Sequence, residues 1–520
     1  MSEVIGVVLA SEFPDKVYIV CNKNSQILLG DILRVEDRLT GKRYLVRVTS
    51  AKQPGEEDLA KIARRMLRDK NAENLASLAP PEVVYIASLL CTFREDGKPY
   101  IPKDLPSLLS RVYLPDREDL AFIEKLKERG YDLEIGVLRV RSSYKPRVAI
   151  KGEDIPRHLG VYAITGKGKT NFVKVLLYAL ATAPRGKYSA LVFDAHDEYY
   201  KNVQAGLLGL QELGIETIKY YDLHAENSPK IPLSDLRPSD LDVVFRGLPE
   251  AQYEAAVLLY YKYRSFWIRR LLELEQGELK SFCKEELEDL VRVNTLSALI
   301  RKVKLLASRP AFSVKEEGNL VAEVLDEIDR GCICIVNTRN LDEIEERAVL
   351  SILTGRLVNA RKDLLDKNPE ELLNKPIVLV VLEEALSVLG AKVLKKGSNI
   401  FADLTREGRK YRIGLLVVAQ LPQRLDPDVA GNINTNVIMG LAQERSRRAV
   451  VENAMDDLDS LLGEIRMLDV GEAIVSYPNK SEVPFPLPVK IHHFNELVRE
   501  FKAKNVKTIK VGAVDKALME

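Results

Sequence analysis

At 520 residues the chain is too long for one ordinary domain, and 46% hydrophobic with 29% charged residues describes a globular protein with a sizeable core. A formal net charge of +1 excludes any argument for a nucleic-acid partner from bulk charge, so such a contact needs a local basic surface such as a channel lining. No apolar run reaches bilayer-spanning length, the N-terminal MSEVIGVVLASEF has no basic region before its apolar stretch, and five scattered cysteines argue against a disulfide framework; the expected location is cytoplasmic.

The first fifty residues alternate β-rich runs with turn signals: VIGVVLA, KVYIVCN, ILLGDILRVED and KRYLVRVTS. Closely spaced strands of this kind predict a small β-barrel. Residues 56–75 and 117–130 read as helices, and the proline-rich segment between them is left unassigned. From about residue 135 strands alternate with helices: LGVYAIT, NFVKVLLYALATA, then SALVFDA. That alternation means β-α-β crossovers and a parallel sheet. Residues 238–330 carry mostly helical periodicity, clearest in EAAVLLYYKYRSFWIRRLLELE, and read as an insertion in the α/β domain. Phe266 and Trp267 in that stretch are expected in the core rather than as a base-stacking platform. Strands resume with CICIVNT, where Cys332 and Cys334 share one face and are expected buried, then IVLVVLEE and IGLLVVAQ. His492 and His493 have no other ligand residues nearby and are read as structural. The tail from 491 is charged and is expected to dock on a neighbour. The resulting division is a barrel domain with helical additions at 1–130, a RecA-like core at 131–237 and 331–490, a helical insertion at 238–330 and a tail at 491–520.

The strongest chemical signal is A-I-T-G-K-G-K-T, Ala163 to Thr170, which has P-loop spacing with Ala163 in place of the first glycine. Thr165, Gly166, Lys167 and Gly168 would turn backbone N–H groups toward phosphate oxygens. Lys169 supplies a point charge to the β- and γ-phosphates, and Thr170 offers a hydroxyl to Mg²⁺. Asn171 continues the loop into a helix whose positive end faces the same anion. In IVLVVLEEA a buried strand ends in Glu383 and Glu384. In this chemistry the first acid helps hold Mg²⁺, directly or through water, and the second deprotonates the attacking water. The alternative is a pair of acids opening the next helix. LVFDAHDEYY ends another strand in Asp194, with His196, Asp197 and Glu198 beyond it, at the same sheet edge as the P-loop. Gln420 ends IGLLVVAQ, where a polar tip could sense the γ-phosphate. Arg406 and Arg409 in LTREGRKYRIG, and Arg157 in DIPRHLG, are candidates to stabilise the γ-phosphate in cis or from a neighbouring subunit. Each could equally be an ordinary helix-end or surface charge.

The order of these motifs (a β-barrel, A-x-T-G-x-G-K-T-N, D-A-H-D-E-Y, a helical insertion, E-E, R-E-G-R-K and V-A-Q) resembles HerA, the archaeal hexameric DNA translocase family of the HerA/FtsK group of P-loop ATPases. The likeness covers most of the chain. It departs at Ala163, and at Asp197 where many relatives carry glycine; neither change removes a phosphate or metal ligand. The resemblance implies a homo-hexameric ring around double-stranded DNA, ATP and Mg²⁺ as cofactors, and work with a NurA-type nuclease and the archaeal break-repair nuclease complex in DNA end resection for recombinational repair. It implies that the barrel docks the partner and that the tail clasps the adjacent subunit. It implies hydrolytic roles for Lys169, Glu384 and an arginine acting in trans, mapped by position to Arg157, with Arg409 as a second γ-phosphate contact; the two roles are exchangeable. The basic loop KVLKKGSN after the E-E strand, with Lys395 and Lys396, is the candidate DNA contact, against the alternative of a solvated lysine cluster. Rival functions are a conjugative or packaging-type DNA pump and a nucleotide-binding enzyme with no motor role.

Overall fold

The structure is a computed structural model, and it describes residues 3–22, 25–52, 83–201, 206–314, 318–395 and 399–503. The helix expected at 56–75 lies outside these residues, as does Lys396.

Seven strands come first: β1 (Gly6–Glu12), β2 (Lys16–Cys21), β3 (Ile32–Glu36), β4 (Arg43–Lys52), β5 (Val84–Phe93), β6 (Pro99–Tyr100) and β7 (Arg111–Tyr113). They pair in the order β2-β1-β7-β3-β4-β5-β6, and β2 pairs back onto β5. That closure makes a six-stranded barrel and removes its open edges. Inward residues alternate along each strand, so Val17 with Ile19, Leu33 with Val35, and Val46 with Val48 fill the interior. β5 was not read from the sequence; prolines on both flanks obscure a strand that bonds β4, β2 and β6. A helix (Arg117–Glu124) and a 3₁₀ turn (Lys125–Arg129) follow, in the stretch expected to be helical. Asp116 caps the helix by accepting the N–H groups of Glu118 and Asp119.

The second sheet uses β8 (Tyr131–Leu138), β9 (Arg147–Lys151), β10 (Leu159–Tyr162), β11 (Tyr188–Asp194) and β12 (Ile218–Asp222). Two short strands, β13 (Ile231–Pro232) and β14 (Phe312–Ser313), pair separately. Then come β15 (Ile333–Asn337), β16 (Ile377–Leu382), β17 (Ile413–Ala419), β18 (Thr435–Ile438), β19 (Glu472–Ser476) and β20 (Leu487–Ile491). The order is β12-β15-β11-β16-β17-β10-β18-β19-β20-β8-β9. From β12 through β18 the pairings are parallel, and from β18 onward they are antiparallel. Every residue of β11, β16 and β17 is buried, as expected when both faces of a parallel sheet are covered. Within β17, Leu415 and Val417 belong to the core beneath the helical insertion, while Leu416 and Val418 belong to the core beneath the helix Lys169–Ala181.

The insertion is helical over Pro238–Val244, Glu250–Tyr263, Trp267–Glu273, Leu279–Glu285, Val293–Ala307 and Leu320–Asp329. The stretch read as one helix is broken at Arg264, whose φ is 52°. Trp267 is fully buried and donates its indole N–H to Leu236 O at 2.8 Å. Phe266, expected in the core, is 62% exposed because it sits in the break. Cys332 and Cys334 are buried as expected. Among the described residues no helix is long and apolar enough to cross a membrane.

The described part of the tail reaches residue 503, and the rest of the stretch expected to dock on a neighbour lies outside the described residues. Phe494 is buried, its N–H donates to Asn171 Oδ1 at 3.0 Å, and the Phe501 ring meets Tyr178 edge-on at 6.3 Å. It packs on the P-loop helix of its own chain, because these aromatics supply the apolar surface that the charged composition hides.

Barrel and sheet are joined by a buried ionic contact. Arg47 on β4 is fully buried; its Nη2 lies 2.6 Å from Glu464 Oε1 and its Nη1 donates to Pro486 O at 3.0 Å. Arg139 also reaches Glu464 Oε1. Glu464→Gln would leave two arginines without their counter-charge, so unfolding stability should fall by about 3–5 kcal/mol, read as a lower urea midpoint.

Candidate nucleotide site

The P-loop leaves β10 and enters the helix Lys169–Ala181. Gly166 and Gly168 have φ of 81° and 102°, conformations that side chains with a Cβ resist, while Ala163 is not in the left-handed region and so needs no glycine. Gly168 leaves the helix start without a side-chain cap, and its N–H groups are open to an anion. Lys169 Nζ donates to Ala163 O and Ile164 O, both at 3.1 Å, and burial lowers its pKa.

Four neighbouring strands, β11, β16, β17 and β10, end around one cavity of about 610 Å³. From the P-loop it is lined by Thr165, Gly166, Gly168, Lys169 and Thr170; from the other strand ends it is lined by His196, Glu198, Glu383, Glu384 and Gln420. Thr165 donates its hydroxyl to Gln420 Oε1 at 3.2 Å. A second concavity, about 660 Å³, lies on the helix Glu250–Tyr263 and contains none of these groups.

The two adjacent glutamates sit in different environments. Glu383 Oε1 accepts the hydroxyl of fully buried Tyr199 at 2.6 Å, and its Oε2 is buried with no hydrogen-bond partner. Burial raises the Glu383 pKa to about 7. Glu384 points outward at φ 49°, with Oε1 3.5 Å from His196 Nε2. A non-glycine residue in that region is strained and persists where its surroundings impose it.

Asp194 shapes the loop opposite. Its carboxylate is buried and accepts the N–H groups of Glu198 at 3.0 Å and Tyr199 at 2.9 Å. Burial raises its pKa against those bonds. Asp197 has φ 55°, the region that favours glycine, and its carboxylate accepts the Tyr220 hydroxyl at 3.0 Å. Asp tolerates that conformation better than most residues.

The structure adds a residue that the sequence reading left without a role. Glu198 Oε2 accepts the Thr170 hydroxyl at 2.8 Å. Mg²⁺ in such sites takes one or two carboxylates beside phosphate and water oxygens. The Thr170 hydroxyl, the Glu198 carboxylate and the unpartnered Glu383 Oε2 match that donor set; among the described residues there is no cluster of three or more His, Cys, Asp or Glu that could hold a metal alone.

Other expected residues lie elsewhere. Lys167 Nζ donates to Leu468 O at 2.6 Å. Asn171 donates to His492 O at 2.8 Å and holds the end of β20. His492 itself meets Glu134 Oε1 at 2.9 Å, consistent with a structural role. Arg157 precedes β10 and Arg409 precedes β17, whereas the cavity lies where those strands end. β10 has four residues and β17 seven, roughly 13 and 23 Å, so both arginines sit at the strand entries, a strand's length from the residues that line this chain's own cavity. Arg406 is exposed and bonded to Asp403 at 2.7 Å. Lys395 is exposed just after the short helix Ala391–Leu394.

The family profile described as "Helicase HerA, central domain" matches residues 133–357. A probable helicase of Methanocaldococcus jannaschii is 27% identical over 420 residues, covering 76% of this chain and 76% of its own. A protein of Sulfolobus acidocaldarius named DNA double-strand break repair helicase HerA is 27% identical over 409 residues, covering 78% and 77%. Among solved structures, VirB4 of Thermoanaerobacter pseudethanolicus aligns with a TM-score of 0.47 at 14% identity, covering 70% of this chain and 97% of that one.

The environment of Glu383 has a pH consequence. Its folded pKa is raised above the ordinary value, so its stabilising contribution is present below pH 4.5 and is lost as pH rises through about 7. Glu383→Gln cannot ionise. In the absence of nucleotide and metal, the stability of wild type relative to this variant should therefore fall, by on the order of 2–3 kcal/mol, between pH 4.5 and 8, measured by denaturant unfolding.

Proposed function

We propose that the chain, which is similar to HerA helicases, is an ATP-driven double-stranded DNA translocase, working in the cytoplasm as a homo-hexamer with a NurA-type nuclease and the break-repair nuclease complex in end resection. The observation that carries the ATPase reading is the single cavity holding Lys169, Thr170, Glu383, Glu384 and Gln420. The DNA reading is supported by relatives named as helicases, including a DNA double-strand break repair helicase.

In this reading the backbone from Thr165 to Thr170 cradles the phosphates. Lys169 exchanges its two carbonyl partners for β- and γ-phosphate oxygens. Thr170, Glu198 and Glu383 would hold Mg²⁺, which when bound neutralises charge across those phosphates. Glu384, the exposed member of the pair, takes the proton of the attacking water, and Gln420 orients that water beside the γ-phosphate. Arg157 and Arg409, displaced to the opposite edge of the sheet, serve the nucleotide of the next protomer. Lys395, with Lys396, contacts DNA phosphates, and the barrel is the docking module for the nuclease.

Lys169→Ala should weaken ATP binding and abolish turnover, because it removes the charge on the phosphates. Glu384→Gln should keep ATP bound but lower turnover by about 10²–10⁴-fold, because an amide cannot take the proton. Wild-type ATPase should rise with double-stranded DNA; a rate indifferent to DNA but dependent on a phosphate-accepting substrate would identify a kinase instead.

Shared sites predict complementation. Arg157→Ala and Lys169→Ala proteins, each inactive alone, should recover part of the ATPase activity when mixed into common rings, since some interfaces then pair an intact P-loop with an intact arginine. Failure to recover in rings shown to be mixed rules out arginine sharing through Arg157.

A further inference from the structure

The two arginine-bearing segments are connected through one buried side chain, His158. Its Nδ1 accepts the backbone N–H of Leu415 at 3.0 Å, so the neutral ring carries its proton on Nε2, which donates to Thr405 O at 3.1 Å. Burial pushes its pKa down to about 4, so both bonds belong to the neutral imidazole. One bond reaches β17 and the other reaches the helix Ile400–Tyr411, which carries Arg406 and Arg409.

The backbone of this residue is also held. His158 has φ 65°, a strained conformation for a bulky residue. The N–H of Asn434 donates to Arg157 O at 3.1 Å, and the N–H of Thr435 donates to His158 O at 3.2 Å. Gly408, between Arg406 and Arg409, explains how the helix comes so close. A Cβ there would fall 2.4 Å from Ile413 O and 3.0 Å from His158 Cε1. Arg157 and Arg409 thus project from one interlocked unit built on β10, β17, β18 and one helix.

Resting on the shared-site reading above, we propose that His158 is a positioning residue: it locks Arg157 and the Arg409 helix into a single rigid edge presented to the neighbouring protomer's nucleotide. It touches no substrate. Its loss acts across the interface, on the next subunit's site, and leaves its own P-loop competent.

The test is a set of mixed rings. His158→Ala alone should keep affinity for a fluorescent ATP analogue and lose turnover by about a hundredfold, the usual cost of a misplacement of about 1 Å. His158→Asn, which tolerates the left-handed backbone and keeps a donor and an acceptor, should restore part of the rate. Mixed with Lys169→Ala, the His158→Ala protein should regain activity, because its own P-loop meets an intact neighbouring edge. Mixed with Arg157→Ala it should not, because every donated edge is defective. The reversed pattern would show that His158 serves its own subunit's site and would overturn the proposal, as would recovery in both mixtures, recovery in neither, or a fully active His158→Ala. If the Lys169→Ala and Arg157→Ala control fails to recover, the shared-site reading falls and takes this inference with it. If the control recovers and the His158 pattern does not appear, only the inference falls.

Discussion

The catalytic end of this protein depends on one carboxylate that does no chemistry. Asp194 is buried at the tip of β11 and accepts the N–H groups of Glu198 and Tyr199. Those two bonds bend the following loop back over the sheet edge. The bend brings Glu198 to the Thr170 hydroxyl and Tyr199 to Glu383, so one buried acid organises contacts to the P-loop and to β16. A buried carboxylate without such donors would be costly; with them it becomes the fixed point of the loop.

A parallel sheet has two ends, and this chain uses both. The strand exits of β10, β11, β16 and β17 form the phosphate cavity. The strand entries of β10 and β17 carry Arg157 and Arg409, tied together by His158. A strand's length separates the ends, so the phosphate cavity and the two arginines lie apart within one subunit.

Legibility from sequence followed burial. β10, β11, β15, β16 and β17 are buried on both faces, so their apolar runs stand out, and the P-loop and the glutamate pair follow from the ends of β10 and β16. β18 has only four residues, and β19 and β20 are short antiparallel strands with Ser476 and Pro488 inside them, so all three carry a weaker pattern. Phe266 was misplaced because periodicity alone does not show the reversal of φ at Arg264. Glu198 was visible as an acid, yet its role depends on the turn that Asp194 imposes. Asn171 matched a motif position, but its side chain is held by β20 and Phe494, contacts made by residues more than three hundred positions away. The arginines stand out by residue type alone, while which end of the sheet they occupy depends on the strand order.

The buried contact of Arg47 and Arg139 with Glu464 bears on how such proteins diversify. Arg47 belongs to the barrel, while Arg139 and Glu464 belong to the sheet and its helices. Losing Glu464 strands two arginines, while losing Arg47 leaves Glu464 with the partly exposed Arg139 alone and takes the donor from Pro486 O. A barrel taken from a relative would therefore graft cleanly only if it carried a cation at the position of Arg47. Inheritance of the barrel and of the ATPase core is in that sense linked through a joint of three side chains that line no part of the phosphate cavity.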